Sequence, residues 1–522
     1  MSCRDNTVTP PSAINEALQL LGVRRLLLGI QDPAFPTAPG QDIGRGSPYG
    51  QAARDFLSFA RRLGFNGVQL GPQGMTSPGN ASPYDSTQFS RNPLSLDLAE
   101  LTGTAGGNLL AASTLAELTQ QEVAPAKSGQ LDGARAWKTL ARVEGELWTS
   151  FRAGQARGER SEMTADFARF QQDEADWLVA DGLYALLCRW YGERSWLDWT
   201  GPEAELDRHL WVPEQGKEQR ATARQAQLVA QYQEGLTAYA FTQFLLDRQH
   251  QVLRRFAREV GLDLFGDMQI GFSSADAWFA RSFLLPGYRL GAPPSRTNPE
   301  GQPWNYPLLD PDQYFDATGE PGPALRFLTR RVGRMFDEYD GLRIDHPHGL
   351  ICPWVYRANQ PDALAAVQGG ARLFEAPDLD DHPDLARYAI ARADQLDRSL
   401  PRHDDHWVSE LDEDQVRRYD VQLATIMDVA RARGRDTRAI ACEILSTQPY
   451  PIQRVMALHG LGRFRITQKA DLANPADVYR SENAQPEDWI MLGNHDTPPI
   501  WRLADQWLAD GTARGHADYL AM

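Results

Sequence analysis

The stretch Glu338-Tyr339-Asp340-Gly341-Leu342-Arg343-Ile344-Asp345-His346 decides how the rest of the chain reads. It predicts a short buried strand whose far end delivers Arg343, Asp345 and His346 together. Arg343 and Asp345 are two residues apart, so in a strand they point to one face. A permanent guanidinium charge beside a carboxylate keeps that carboxylate ionised at neutral pH. An ionised, oriented Asp is what covalent attack on a sugar carbon requires. Such a pair equally serves to pin a strand end, so the surroundings must decide.

Outward from this strand the chain alternates. Leu325, Leu328, Val332 and Phe336 recur at helical spacing just before it, and Leu262 to Ile270 (LDLFGDMQI) predicts an earlier strand. Further back, Val23 to Ile30 and Val68 to Leu70 predict two strands flanking a helix marked by Ala53, Phe56, Leu57, Ala60 and Leu63, with Gly64 as its cap. Downstream, Val416 to Ala432 is helical. Arg438 to Cys442 is a strand ending at Glu443, Arg463 to Thr467 another, and Trp489 to Leu492 a last one before Gly493-Asn494-His495-Asp496-Thr497. Residues 77–97 and 285–307 read as loops. Residues 111–233 turn helical, charged and Gln-rich, with Trp137, Trp148, Trp177, Trp190, Trp196, Trp199 and Trp211 along them; they predict a helical insertion with solvated faces. The grammar is that of a parallel sheet. It predicts an α/β fold, a (β/α)8 TIM-type barrel built from residues 23–110 and 234–522, as one catalytic unit over the whole chain. A doubly wound sheet is the rival, but no Gly-rich phosphate loop follows the first strand.

The chain of 522 residues has length enough for such a barrel. Its 53 Lys+Arg against 69 Asp+Glu, a formal charge of −16, argue against nucleic-acid and anionic-membrane partners. Cys3, Cys188, Cys352 and Cys442 lie far apart without metal or redox spacing, and read as reduced thiols of a cytoplasmic protein. Met1 to Pro11 shows no apolar h-region, and no apolar run reaches membrane-spanning length. His403-Asp404-Asp405-His406 has metal-ligand residue types in an acidic, Pro-bearing stretch that reads as a solvated loop, so no metal is expected.

Asp345, Glu443 and Asp496 would come from three strand ends of one barrel. Retaining glycoside chemistry needs an ionised nucleophile and a protonated acid/base roughly 5 Å apart. Asp345 beside Arg343 suits the first role. Glu443, following the apolar Ala439-Ile440-Ala441-Cys442, suits the second, since desolvation raises a carboxyl's pKa. Asp496, flanked by His495, could grip sugar hydroxyls. No cofactor is needed, because two carboxyls carry both the attack and the proton.

With these residues in view, the sequence from about Val23 to Trp501 resembles the amylomaltase or 4-α-glucanotransferase family, also called disproportionating enzyme, within the α-amylase clan. The motifs that carry the likeness are Gln69-Leu70-Gly71-Pro72 through Ser82-Pro83-Tyr84, with Asn92-Pro93-Leu94 and Asp97; Gly266-Asp267-Met268-Gln269-Ile270 through Ser274-Ala275-Asp276-Ala277-Trp278; Pro293-Pro294 with Gly301-Gln302-Pro303-Trp304; Leu342-Arg343-Ile344-Asp345-His346; and Asn494-His495-Asp496. The resemblance implies transfer of an α-1,4-glucan segment to another glucose or maltooligosaccharide. It implies Asp345 as nucleophile, Glu443 as acid/base and Asp496 as stabiliser. It also implies that Tyr84, Trp304, Arg343, His346 and His495 contact glucose rings, with Trp304 and Tyr84 stacking acceptor and donor. A retaining α-glucan hydrolase, or a non-catalytic carbohydrate-binding relic of the fold, would show the same motifs. The oligomeric state is not legible.

This chain departs from the family pattern. Phe-Arg-Gly after the nucleophile's histidine reads Pro347-His348-Gly349, and Gly-Asn-Pro after Trp304 reads Asn305-Tyr306-Pro307. Ala-Glu-Asp-Leu-Gly reads Ala441-Cys442-Glu443-Ile444-Leu445, so an ungapped alignment puts Cys442 on the acid position. A thiol is a poor proton donor to a glycosidic oxygen and Glu443 is the carboxyl at hand, so a one-residue shift is expected. The family's third-strand-loop Asp falls on Ser273, with Asp276 as its candidate replacement among the substrate contacts. An eighth strand and closing helix are expected but missing before Met522, which reads as truncation; Trp501 to Leu520 predicts at most one helix.

Overall fold

The computed structural model describes residues 12–120, 131–296 and 298–521. Cys3 and the stretch read for a leader lie outside them, as do residues 121–130 of the stretch expected as an insertion. The chain divides into two compact units, Met1–Gly266 with Gly271–Ser282, and Asp267–Ile270 with Phe283–Met522.

In the first unit, β1 (Leu27–Ile30), α1 (Gln51–Arg62) and β2 (Gly67–Leu70) form the expected strand–helix–strand, with β1 and β2 parallel in the register Leu27↔Gly67 to Ile30↔Leu70. Residues 23–26, expected in the first strand, precede it as coil. Gly64 ends α1 at φ +95, a conformation that glycine reaches without steric cost. The described residues of 111–233 are largely helical, with α2 (Gly133–Ala156), α3 (Ser161–Asp173), α4 (Ala175–Trp190) and α5 (Glu218–Gln231), followed by the long α6 (Gln233–Val260). Several of its tryptophans are core, not surface. Trp177 and Trp199 are fully buried, and Trp199, Trp196 and Trp278 share one cluster with Leu183 and Leu187. Phe151 stacks on Phe241 of α6 at 4.2 Å between centroids. Rings of this size dominate the burial of a helical layer. Strand β3 (Asp263–Met268) pairs in parallel with β2, and α7 (Ser274–Ala280) follows.

In the second unit, α8 (Pro323–Glu338) leads into β6 (Gly341–Ile344), and α9 (Val421–Ala432) leads into β9 (Ile440–Cys442). These two strands pair in parallel with Arg343 opposite Ala441 and Ile344 opposite Cys442. Leu342 and Ile344 are fully buried on one face of β6, so Arg343 and Asp345 take the other. The last two residues of β3, Asp267 and Met268, belong to this unit, and the strand order continues from β3 through β6 to β9. A second parallel pair joins β10 (Phe464–Ile466) to β11 (Trp489–Met491), with α10 (Tyr450–His459) before it.

Three sequence expectations are corrected here. Residues 285–307 are not simply a loop: they carry β4 (Tyr288–Ala292) and β5 (Gln302–Tyr306). With β7 (Trp354–Arg357) and β8 (Ala371–Arg372) these form an antiparallel sheet in the order β5-β4-β7-β8. Their Gly, Pro and Asn content marks a short, bulged edge instead of an absence of strands. Residues 413–432 are two helices broken at Asp420. The chain's last residues form two helices, α11 (Ile500–Ala509) and α12 (Ala513–Ala521), separated at Gly511 with φ +72. Among the described residues no helix is long and apolar enough to cross a membrane.

Candidate active site

The ends of β3, β6 and β9 bring three carboxyls and two cations together inside the second unit. Arg343, 3% exposed, is their centre. Its Nη1 donates to both oxygens of Asp267 at 2.6 and 2.7 Å, and its Nη2 donates to Asp345 Oδ1 at 3.1 Å and approaches Glu443 Oε2 to 2.5 Å. Asp345 follows β6 and its amide donates to Met268 O; Glu443 follows β9 and its amide donates to Ile344 O. Parallel pairing thus carries both carboxyls past the same sheet edge. His346 turns its Nδ1 to 3.2 Å from Asp345 Oδ1 and 3.4 Å from Glu443 Oε2. Its φ of +41 is a left-handed conformation, which a residue with a side chain adopts only where its surroundings hold it. In the short helical turn His348–Ile351 that follows, the Gly349 amide donates to His346 O at 3.0 Å, and Gly349 packs so close to Ile270 that a Cβ would lie 2.5 Å from its Cδ1.

Burial alone would raise the Asp345 carboxyl, but the charges of His346 and Arg343 overcome it and hold the group well below the usual carboxylate range. Glu443 is wholly buried, and that burial pushes its carboxyl up against the pull of Arg343 and His346. Burial would lower His346, yet Asp345 and Glu443 push it up to about 9, so it is a cation at neutral pH. Asp267 is also raised by burial, with Arg343 opposing, and its two contacts with one guanidinium nitrogen favour the ionised form. Asp345 is thus pushed towards its ionised form and Glu443 towards its protonated form, with Arg343 and His346 as the cations between them. The protonated Glu443 then donates towards Asp345 and lowers it further. Cys442, fully buried with its thiol pushed up to about 12, lies in β9 itself; Glu443, one residue on, is the group beside Asp345.

Arg343→Met is expected to destabilise the fold by about 3–5 kcal/mol, because it leaves buried carboxyls without their shared counter-charge. Urea unfolding measures this, and a change below about 1 kcal/mol would contradict the electrostatic account.

Asn494 reaches Glu443 Oε1 with its amide at 3.4 Å. Asp496, two residues on, has a half-exposed carboxylate paired with His495 at 3.3 Å. His495 is lowered by burial and raised by Asp496, and also feels the charges of Arg343 and Asp345. Trp304 on β5 stands edge-on to His346, 5.0 Å between centroids at 68°. Tyr84 is half-buried in a turn of the first unit. Asp276, also in that unit, is fully buried at the start of α7. Its Oδ2 accepts from Ser273 N and Oγ in a capping box, and its Oδ1 accepts from Gln88 N, so a structural task occupies both oxygens. Asp267 and Asn494 join the site without a role expected from the sequence. A lone carboxylate inside the apolar Leu264-Phe265-Gly266-Asp267-Met268 was the available signal for the first.

Among the described residues, two sets of side chains bring three ligand-type atoms within 4.8 Å of one another: Asp345, His346 and Glu443, and Glu205, His209 and Glu214. A cation already sits in each, Arg343 in the first. In the second, Arg281 donates to His209 Nδ1 and Lys217 pairs with Glu214. Asp404 and Asp405 accept from the backbone amides of His406 and Gln448, as loop-closing carboxylates do.

Two carboxyls that bring one oxygen each within 4.8 Å, beyond the ends of parallel strands and with proton affinities pushed in opposite directions, fit the α/β class of retaining carbohydrate-active proteins. The comparisons narrow that class: residues 36–521 match the family described as 4-alpha-glucanotransferase, and the chain belongs to it. A chloroplastic/amyloplastic 4-alpha-glucanotransferase of Oryza sativa is 28% identical over 333 residues, 60% of this chain and 50% of that protein. The 4-alpha-glucanotransferase of Thermus thermophilus is 29% identical over 343 residues, 62% of this chain and 60% of that one. The chain thus spans about half to three-fifths of the length of these relatives. Amylomaltase from Streptococcus agalactiae, solved in complex with acarbose, shares the fold with a TM-score of 0.69 at 18% identity, covering 95% of this chain and 83% of that one. Amylomaltase from Corynebacterium glutamicum does so at 0.63 and 16%, covering 98% and 61%.

Proposed function

We propose that this protein is a retaining 4-alpha-glucanotransferase acting on maltooligosaccharides and α-glucans derived from starch or glycogen. The observation that carries this reading is the Asp345–Glu443 pair, whose oxygens lie within 4.8 Å and whose proton affinities burial and charge push apart. Carboxyls roughly 5 Å apart serve double displacement, whereas inversion needs about 6.5–9.5 Å to admit water between them. Asp345 attacks the anomeric carbon while Glu443 gives its proton to the departing 4-oxygen. A glycosyl ester on Asp345 results. Glu443, now a base, then takes the proton from the 4-hydroxyl of an incoming sugar, which attacks the same carbon, frees Asp345 and restores the α configuration. Arg343 and His346 keep Asp345 ionised and oriented. Asp496 grips hydroxyls of the distorted ring, and His495, Trp304 and Tyr84 contact glucose rings. Asp276 has the least support among the substrate contacts, given its capping role.

The parallel strands β1, β2, β3, β6, β9, β10 and β11 fit a (β/α)8 barrel with residues 111–233 inserted in it, in a protein of the cytoplasm; Cys188, Cys352 and Cys442 are free thiols. Transfer wins over hydrolysis where the acceptor side excludes water. Incubation with maltotriose, with products resolved by length, tests the reading: a ladder of longer and shorter maltooligosaccharides plus glucose supports transfer. Glucose and maltose alone would mean a hydrolase, and no products would overturn the proposal.

A further inference from the structure

Trp304 owes its place to an irregularity in β5. Between the pairs Leu290↔Tyr306 and Ala292↔Gln302, one residue of β4, Gly291, faces Pro303, Trp304 and Asn305. The surplus residues bow out of register as a bulge. Asn305 takes φ +60, a left-handed conformation that Asn tolerates better than most residues. Its amide N–H donates to Tyr356 Oη at 2.9 Å. Tyr356 lies on β7 opposite Arg289 of β4, its ring buried with Trp354 and Val367. The ring passes β4 at Gly291, where a Cβ would lie 3.0 Å from Tyr356 Cε1 and 2.6 Å from Gln302 O. One phenol therefore spans the middle strand of this sheet and holds the bulge of the next. The indole N–H of Trp304 is tied back to Gln302 Oε1 at 2.9 Å, and its ring edge faces His346.

We infer that the Tyr356 hydroxyl is a positioning group for Trp304: through the Asn305 amide it fixes the β5 bulge, so that the indole stands as a sugar-stacking wall beside His346 and sets how tightly the acceptor glucan is held. This rests on the glucan-transfer reading above. Gly291 is part of the device, because a side chain there would block the phenol. Without the hydroxyl the part-buried Asn305 amide loses its protein acceptor, and the bulge relaxes to find another.

Tyr356→Phe removes a single oxygen and keeps the packed ring. The KM for glucose as acceptor is expected to rise roughly fivefold, with the transfer-to-hydrolysis ratio falling by a similar factor. In a Trp304→Ala background the same substitution is expected to change neither quantity, because the group acts only through the indole. An unchanged acceptor KM in Tyr356→Phe, or the same loss in both backgrounds, would overturn the inference. Should the wild-type chain fail to elongate maltotriose, the same cycle read as maltotriose affinity by calorimetry, in an Asp345→Asn background, decides it separately. A Trp304-dependent loss of affinity supports the strut, and no loss overturns it.

Discussion

Asp345→Asn is expected to lower turnover of maltotriose by about 10⁴-fold or more while leaving glucan affinity within a few-fold of wild type. The substitution keeps the shape of the side chain and its contact with Arg343, and removes only the charge that attacks. Asp345 is held ionised by His346 and Arg343 against its own burial, so its nucleophilic form persists as pH falls below the ordinary carboxylate range. Turnover retained to within about tenfold would transfer the role to another group. Affinity lost together with turnover would recast Asp345 as a substrate anchor.

Glu443→Gln is expected to cost about 10²–10⁴-fold on maltotriose, the usual worth of a positioned proton donor. The cost should largely vanish in the first step with α-maltotriosyl fluoride, whose leaving group needs no proton. The pH dependence has a definite sign. Burial raises the Glu443 carboxyl, so its protonated form persists above the ordinary carboxylate range, and activity is lost as pH rises through the raised value. Release of fluoride by Glu443→Gln should lack that alkaline limb. Equal losses with both donors would mean that Glu443 shapes the site instead of moving the proton. Cys442 offers no substitute, since its buried thiol stays protonated to about pH 12 and lies within the strand.

The sequence made part of this legible for a physical reason. Alternation along Gly341 to Ile344 puts Arg343 and Asp345 on one face whatever the tertiary context, and the apolar run before Glu443 announces a desolvated carboxyl. The parallel strands were legible because each is a short apolar run closed by Gly, Pro or a polar turn. The antiparallel sheet was not, since β4 and β5 are short and bulged, and β8 has two residues. The β5 bulge is met by Tyr356 across Gly291, contacts no local pattern encodes. Asp276 reads as a ligand contact from its type and loop; its additional capping task, with Ser273 and Gln88 amides on its oxygens, is visible only in the fold. In the helical insertion, charge density suggested solvated faces, yet Trp177 and Trp199 are core, because a helix can carry both on opposite sides. At the end of the chain, Asp510-Gly511-Thr512 was a readable breaker between α11 and α12.

The most direct measurement is to incubate the Glu443→Gln protein with α-maltotriosyl fluoride, digest it and locate any glycosyl adduct by mass spectrometry. Fluoride leaves without an acid, and the missing base slows release, so the covalent intermediate should accumulate. The account predicts a maltotriosyl ester on the peptide that carries Asp345, removed when an acceptor sugar is added with a strong external nucleophile. Fluoride release with the adduct on another residue, or with no adduct and inverted product, would contradict it.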